Sequence, residues 1–178
     1  DALVDAASMF SDELTEAVLE EQEITESMLL SAIRAGTLKR ELTPVLIGSA
    51  YKNKGIQTLL DAVTRFLPSP LDVSNEAMDI DDTDKRIELS GRPTDPLVAL
   101  AFKLEDGQYG QLSYIRLYQG QLKKGDVAVN MRTRQKIKVG RIVRMHADQM
   151  EEVDQIAAGY IGAFFGIDCA SGDTFAAP

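Results

Sequence analysis

Residues 106–130 read DGQYGQLSYIRLYQGQLKKGDVAVN, and the predicted fold is built outward from them. Residues 112–118 are rich in β-branched and aromatic side chains, which predicts a strand. Residues 120–126 are predicted to form a hairpin connection, and residues 127–129 the strand that returns. Glycines mark the points where the chain turns sharply or another backbone comes close, and they stand at Gly107, Gly110, Gly120 and Gly125. Two strands cannot bury their apolar face alone, so more strands must follow.

The sequence from Asp95 onward supplies these strands. Runs with strand composition alternate with turn signals, for example at residues 105–107 and 133–135. The predicted strands are residues 97–104, 112–118, 127–130, 136–145 and 160–167, with short pieces near Thr174. The acidic run 148–156 is predicted to be a turn or a short helix. Short strands joined by short turns favour a small antiparallel β-barrel over residues 92–178.

The beginning of the chain is predicted to be helical. Apolar residues at helical spacing predict a helix over residues 1–22, and Ser11 is a suitable N-cap within it. Thr25 can cap a second helix that runs to about residue 35. Gly36 is expected to end that helix, because glycine readily adopts the left-handed conformation found after helices.

Residues 43–67 are predicted to form a strand, a loop and a helix. Residues 45–47 are wholly apolar, as in a central parallel strand covered on both faces. An amphipathic stripe predicts the helix, and it consists of Ile56, Leu59, Leu60, Val63 and Leu67. One strand is not a sheet, so either the rest of the sheet lies upstream of this chain or the unit packs in some other way here. Residues 1–68 are therefore predicted to be the C-terminal part of an α/β domain.

Residues 69–91 are predicted to be an acidic, solvated linker. They carry many carboxylates and few large apolar side chains. The run 79–84, DIDDTD, resembles a calcium-binding loop, but it lacks the glycine at the sharp turn and the bidentate glutamate that such loops require. We therefore expect no metal there, and the predicted class of the whole chain is α+β.

The charge of the chain is uneven. The formal net charge is −9, which argues against nucleic acid as a partner. However, residues 1–90 hold 18 acidic and 8 basic residues, a net charge of −10, whereas residues 91–178 hold 10 and 11, a net charge of +1. Only the second half offers a surface that favours phosphate. The sequence contains no apolar run long enough for a membrane span, and no basic leader precedes Asp1.

Two single residues are expected to be structural. Cys169 is the only cysteine, so no internal disulfide can form, and a small buried side chain is the expected role. His146 is the only histidine, and no nucleophile or carboxylate partner for it is evident from the sequence. The absence of Met at the start suggests that the chain is a piece of a longer protein.

The barrel region resembles the second domain of translational GTPases. The residues that carry this resemblance are Gly110, Arg116, Gly120, Leu122 and Gly125. Residues 43–57, TPVLIGSAYKNKGIQ, and residues 166–174, GIDCASGDT, extend it to nearly the whole chain and make it similar to elongation factor G. The resemblance implies a fragment with the end of a GTPase domain (1–68), a linker (69–91) and the β-barrel domain two (92–178). The intact protein would be a GTP-dependent ribosomal translocase.

The resemblance also implies a guanine-binding loop. Its residues would be Gly48, Ser49, Ala50 and Tyr51, with backbone N–H groups at the Ser-Ala step donating to the guanine carbonyl oxygen. The phosphate-binding loop, the γ-phosphate sensor and the Asn-Lys-x-Asp base motif are absent from this sequence. GTP or GDP with Mg²⁺ is therefore expected in the intact protein and none on this chain alone. We assign no catalytic residue and no metal ligand.

A basic cluster is the candidate RNA-binding surface. It comprises Lys123, Lys124, Arg132, Arg134, Lys136, Lys138, Arg141 and Arg144. The bases at 136 and 138 alternate with Ile137 and Val139, so one strand face is cationic and the other apolar. The resemblance implies contact with RNA of the small ribosomal subunit, through phosphates. Tyr109, Tyr114 and Tyr118 could stack on bases, but packing in the barrel is favoured.

Several alternatives stay open. Within the same superfamily, a release-factor recycling GTPase or a ribosomal protection protein would share these features. A protein-interaction barrel with no RNA role is the alternative from another class, whereas an enzyme that uses Glu105 and Asp106 is disfavoured because these adjacent residues indicate a turn. The expected partners are the ribosome, the missing core of the GTPase domain and the C-terminal domains, with no membrane. The expected location is the bacterial cytoplasm or, alternatively, the mitochondrial matrix.

Overall fold

The computed structural model describes residues 2–107 and 110–178. The chain divides into two compact units, Asp1–Asp72 and Val73–Pro178, and each is described by itself. The first is helical and the second consists of strands. The predicted α+β class, with an antiparallel barrel of the translation-factor type, is confirmed.

The first unit is built from short helices. They are α1 (Ala2–Ser8), α2 (Asp12–Leu19), α3 (Glu26–Lys39) and α4 (Ile56–Phe66). The predicted helix over residues 1–22 is two helices, because the Ser11 hydroxyl accepts a hydrogen bond from Leu14 N (3.2 Å) and starts a new one. The predicted N-cap of α3 is confirmed, since Thr25 Oγ1 accepts from Met28 N at 3.3 Å. These helices pack around Ala7, Leu14, Ala32 and Ile33.

Gly36 does not end its helix, so that prediction was wrong. Helix α3 continues to Lys39, and Arg40 takes the left-handed conformation at its end (φ 62°). A Cβ atom on Gly36 would lie 2.7 Å from Phe10 Cδ2. The glycine is therefore needed for the close approach of Phe10 to the helix.

The predicted central strand at 45–47 is also wrong. These residues have no regular secondary structure, and Val45 and Ile47 are 85% and 95% exposed. A parallel strand needs neighbours to pair with its backbone, and none is present among the described residues of this unit. The predicted amphipathic helix after it is confirmed as α4, but Leu59, Leu60 and Val63 on its stripe are exposed.

The second unit contains strands β1 to β12. Their bounds are β1 Asn75–Met78, β2 Arg86–Leu89, β3 Val98–Gly107, β4 Gly110–Gln119, β5 Gln121–Lys123, β6 Val127–Asn130, β7 Lys136–Lys138, β8 Ile142–His146, β9 Gln149–Val153, β10 Gln155–Ala157, β11 Ile161–Phe165 and β12 Thr174–Ala176. Within the described residues, one curled sheet runs in the order β7-β6-β12-β3-β4-β11-β8-β9, and every pair in it is antiparallel. A separate ladder joins β5 to β10.

The barrel core lies on one face of these strands. Alternation along β4 buries Ile115 and Leu117 and turns Tyr114, Arg116 and Tyr118 outward. The β5–β10 ladder adds Leu122 and Ile156 to the same cluster, together with Phe164 and Phe175 from β11 and β12. Cys169 is buried there as predicted, with Sγ 3.4 Å from Ser113 Oγ, and burial raises the pKa of its thiol.

The connection at 120–126 is not a hairpin. Strand β4 pairs with β3 and β11, whereas β6 pairs with β7 and β12. Between them the chain forms β5, which pairs with β10. Gly120 makes this departure possible, since its φ is +79° and a Cβ would lie 2.7 Å from Leu97 Cα.

The acidic run 148–156 forms strands rather than a turn or helix. It contains β9 and β10, and β9 pairs with β8 so that Glu151 lies opposite Arg144. Likewise, the predicted strand 136–145 is interrupted between β7 and β8. Val139, which follows β7, donates its N–H to Asp126 O and accepts from Gly125 N, both at 2.8 Å, so it still pairs with the segment just before β6.

The stretch predicted to be a solvated linker contains the hairpin β1–β2. The aspartates of this hairpin form hydrogen bonds within its turn. The Asp79 carboxylate accepts from Asp81 N (3.0 Å) and Lys85 Nζ (3.2 Å), and the Asp82 carboxylate accepts from Asp84 N (3.3 Å). These local hydrogen bonds explain the acidic composition without a metal. Within the described residues, no cluster of three or more His, Cys, Asp or Glu side chains is arranged to hold a metal ion.

Candidate nucleic-acid interface

Strand β7 presents the predicted basic face. Lys136 and Lys138 are exposed, whereas Ile137 between them packs against the barrel core. The strand pairs on one side with β6 and, within the described residues, ends the sheet. Residues two apart on a strand point to the same side, about 7 Å from each other, so Lys136 and Lys138 project as a pair from this edge.

A second pair of lysines is brought next to this strand. Lys123 and Lys124 stand at the turn after β5, where the Asp126 carboxylate accepts from Lys123 N at 2.8 Å. The hydrogen bonds between this turn and Val139 place it beside the end of β7. We call Lys123, Lys124, Lys136 and Lys138 the basic edge. Sequence reasoning named all four, but their proximity depends on a contact that the strand prediction did not include.

Two residues of the predicted basic cluster, Lys124 and Arg141, form ion pairs with a glutamate. Glu152 lies 3.2 Å from Lys124 and 3.1 Å from Arg141, and the hydrogen bond from Lys124 is the main reason why the pKa of Glu152 is lowered. Both pairs are solvent-exposed, so each contributes little to stability and can exchange for another anion. Among the described residues, Lys123, Lys136 and Lys138 form no ion pair.

Arg132 has a different role from the one that its sequence suggests. Its guanidinium donates two hydrogen bonds to the Asp173 carboxylate, from Nε to Oδ1 and from Nη2 to Oδ2, the second at 2.9 Å. Asp173 is only 3% exposed, and it also accepts from Asn130 Nδ2 (2.7 Å) and Ala170 N (2.9 Å). The hydrogen bonds from Arg132 hold the pKa of Asp173 far below its usual range, against the opposing effect of burial. Sequence reasoning missed this group, because Arg132 and Asp173 lie 41 residues apart and no local pattern links them.

Arg134 and Arg144 each lie near an acidic residue. Arg134 approaches Asp81 of the β1–β2 turn at 3.4 Å. Arg144 is 3.9 Å from Glu151 and 5.8 Å from the Tyr160 ring. His146 lies 3.4 Å from the same Glu151, a carboxylate partner that the sequence did not reveal.

The tyrosines of β4 contact neighbouring side chains on the outer face of the barrel. Tyr114 donates its hydroxyl hydrogen to Glu105 at 2.9 Å, and burial is the main cause of its raised pKa. Tyr118 packs under Arg116, whose Cζ lies 4.8 Å from the ring centroid. Tyr109 lies outside the described residues. Glu105 itself is part of β3 rather than of the predicted turn.

The predicted guanine loop is a tight backbone turn. Ser49 and Lys54 exchange backbone hydrogen bonds of 2.9 and 3.0 Å across it. A Cβ on Gly48 would lie 2.7 Å from Lys54 O, so only glycine fits there without movement. The Ala50 N–H donates no hydrogen bond within the described part of the chain, and the Tyr51 side chain is 99% exposed. The backbone N–H groups of Ala50 and Tyr51 therefore donate to no described residue, on a turn held by the Ser49–Lys54 hydrogen bonds.

Comparison with known proteins places these features in a family. Residues 110–176 match the family model described as "Elongation factor Tu domain 2". Along the described residues, no helix is both long and apolar enough to cross a bilayer.

Relatives extend the match to nearly the whole chain. Elongation factor G 1 of Syntrophus aciditrophicus is 61% identical over 98% of this chain and 25% of its own length. The mitochondrial elongation factor G-1 of Arabidopsis thaliana is 50% identical over 97% of this chain and 23% of its own length. A crystal structure of a Thermus thermophilus protein has the same fold, with a TM-score of 0.71 at 22% identity over 98% of this chain and 24% of that one. The chain therefore belongs to the elongation factor G family and spans about a quarter of the length of the curated relatives that it matches.

Proposed function

We propose that this chain is the ribosome-docking part of a GTP-dependent ribosomal translocase, and that its basic edge binds phosphates of small-subunit RNA. The observation that carries the proposal is the placement of Lys136 and Lys138. They point away from the core on a strand at the end of the sheet, and the turn that bears Lys123 and Lys124 lies beside them. The names of the relatives support a role in translation elongation.

The chemistry of this edge suits a phosphate backbone rather than base recognition. Lysine offers a flexible point charge with three donors and reads no base sequence when it contacts phosphate. Three of the four lysines form no ion pair with a described residue, so no acidic neighbour has to be displaced from them. If all four contact phosphates, the affinity should fall about 50- to 150-fold between about 50 and 200 mM salt.

The guanine loop has a separate role in the same proposal. In the intact protein, the free N–H of Ala50 would donate to the guanine carbonyl oxygen, a contact that adenine cannot accept. GTP with Mg²⁺ would supply the energy for translocation, and the groups that hold its phosphates would come from outside this chain. The exposed side chains of Val45, Ile47 and Leu60 would pack against the missing core of the GTPase domain. A bacterial cytoplasm is the proposed location.

Filter binding of the purified chain to small-subunit ribosomal RNA tests the docking role. We expect the double variant Lys136→Gln/Lys138→Gln to bind more weakly and to lower the salt slope by about 1.4 to 1.8, the contribution of two phosphates. The matched control is Lys52→Gln/Lys54→Gln, which removes the same charge at the same spacing from exposed positions of the first unit.

The control should bind as the unaltered chain does. Equal losses in both double variants would mean that net charge, not the basic edge, governs binding. If the unaltered chain fails to bind RNA at about 50 mM salt, or binds in a way that ignores salt, the RNA role is refuted and the alternative of a protein-interaction barrel is favoured.

A further inference from the structure

We propose that Asp173 is a positioning residue for RNA binding: with Asn130 and Arg132 it fixes the turn between β6 and β7, and so sets where the lysines of β7 point. The inference rests on the proposed docking function and adds residues that touch no RNA themselves. It also gives Arg132 a structural role, because its guanidinium donates through Nε and Nη2 to the two oxygens of Asp173.

The Asp173 carboxylate joins two segments that are distant in sequence. Its partners Asn130 and Arg132 lie 43 and 41 residues away, at the end of β6 and in the following turn. Since both of its oxygens accept hydrogen bonds in a site that is almost closed to solvent, the geometry of this group is strongly constrained. If Asp173 lost its negative charge, the ion pair that holds the Arg132 side chain against the barrel would be lost.

Asn130 connects Asp173 to the turn between β6 and β7 by hydrogen bonds. Its side-chain Oδ1 accepts from Arg132 N (3.0 Å) and Thr133 N (3.2 Å), while its Nδ2 donates to Asp173. Its backbone N–H donates to Gln135 O at 2.9 Å, directly before Lys136. Asn130 is 1% exposed, so water cannot readily replace these partners. The path from Asp173 to the first lysine of β7 is therefore a continuous chain of hydrogen bonds.

The turn also holds a residue in an uncommon conformation. Arg134 has φ of 58° and donates its N–H to Asn130 O at 2.8 Å. A non-glycine residue takes this conformation at a cost, so the surrounding hydrogen bonds must maintain it. If the Asp173 group is lost, this turn is expected to relax first, and the direction of β7 would then depend on its ladder to β6 and on the packing of Ile137.

The direction in which one substitution changes the affinity for RNA distinguishes a positioning role of Asp173 from a purely electrostatic effect of its charge. Asp173→Asn removes a negative charge, which by itself should strengthen the binding of a polyanion. The positioning role instead predicts weaker binding, because the lysines of β7 no longer meet successive phosphates. The matched control is Asp148→Asn, which removes the same charge from an exposed turn residue that makes no side-chain hydrogen bond or ion pair within the described residues.

The experiment is filter binding of these variants to small-subunit ribosomal RNA over a range of salt concentrations. We expect Asp173→Asn to bind about tenfold more weakly than Asp148→Asn at about 50 mM salt, the contribution of one phosphate contact, and to lower the salt slope by about one. Arg132→Lys provides a second variant. It keeps the charge beside Asp173 but loses the two-pronged geometry, and it should show the same direction of change.

Circular dichroism and thermal melting identify variants that do not fold, and Arg132→Lys decides the outcome if Asp173→Asn is among them. Folded variants that bind RNA as tightly as Asp148→Asn, with an unchanged salt slope, would overturn the positioning role while leaving the docking function intact. Failure of the unaltered chain to bind RNA would instead refute the docking function, and the positioning role with it.

Discussion

Gly120 offers the sharpest test of the barrel topology. At this residue the chain leaves β4 and starts β5, with φ of +79°. A Cβ here would lie 2.7 Å from Leu97 Cα, 2.8 Å from Leu97 N and 2.9 Å from Asp95 O. Backbone atoms cannot swing aside as a flexible side chain can. Gly120→Ala should therefore force β3 and β4 apart at this end. Gly125→Ala is the matched control, because its φ is +93° but a Cβ there meets nothing within 4 Å.

The two variants separate the cost of the left-handed backbone conformation from the cost of the steric clash with the added Cβ. Both variants place alanine in the left-handed region, which costs about 1–2 kcal/mol, and both gain about 0.4–1 kcal/mol from a less flexible unfolded chain. Gly125→Ala should thus lower the free energy of unfolding by at most about 1.6 kcal/mol. Gly120→Ala adds the clash with a packed backbone, about 1–3 kcal/mol by comparison with overpacked cores. The expected total at Gly120 is therefore about 1–5 kcal/mol.

Reactivity of the single thiol measures the stability of the barrel alone. Cys169 is buried in the barrel core, so a thiol reagent applied in brief pulses across a urea series reports opening of this unit without interference from the helical one. With a slope of about 2 kcal/mol per M urea, the midpoints of the two variants should differ by about 0.5–1.5 M. Equal midpoints would refute the inference that close backbone approach requires glycine at 120.

Three further measurements test other contacts of the fold and the nucleotide prediction. First, because Arg132 lowers the pKa of Asp173 in the folded state, ionisation of Asp173 stabilises the barrel above about pH 4, and this contribution is lost as the pH falls. Urea midpoints measured between about pH 2 and 5 should therefore vary less in Asp173→Asn than in the unaltered chain. An identical variation in both proteins would contradict the lowered pKa of Asp173. Second, Gly36→Ala should destabilise the helical unit despite the higher helix propensity of alanine, because its Cβ would lie 2.7 Å from Phe10 Cδ2; helical circular dichroism during thermal melting measures this, and a raised midpoint would show that Phe10 yields at no cost. Third, the chain alone should neither bind a fluorescent GTP analogue at micromolar concentration nor release phosphate above a buffer blank, and turnover that co-purifies with the chain would refute this.

Elements with local signals could be predicted from the residues alone. The hydroxyls of Ser11 and Thr25 cap helices as predicted, because an N-cap needs only the amides of the next turn. Strand β6 has the predicted bounds, and the alternation at 136–138 correctly separated exposed lysines from a core isoleucine. The direction of Lys136 and Lys138 could be predicted for the same reason, since side-chain direction on a strand follows from a period of two. Lys123 and Lys124 lie beside them only through the hydrogen bonds of their turn to Val139, which no local pattern predicts.

Features that depend on distant partners required the folded chain. Residues 45–47 have the composition of a buried strand, yet a strand exists only where neighbouring backbone groups accept its hydrogen bonds. Gly36 looked like a helix end until the contact with Phe10 was known. Arg132 looked like an RNA contact because its buried partner Asp173 lies 41 residues later, and no local pattern links the two. Burial decides which charges remain available to a ligand, and burial is a property of the folded chain.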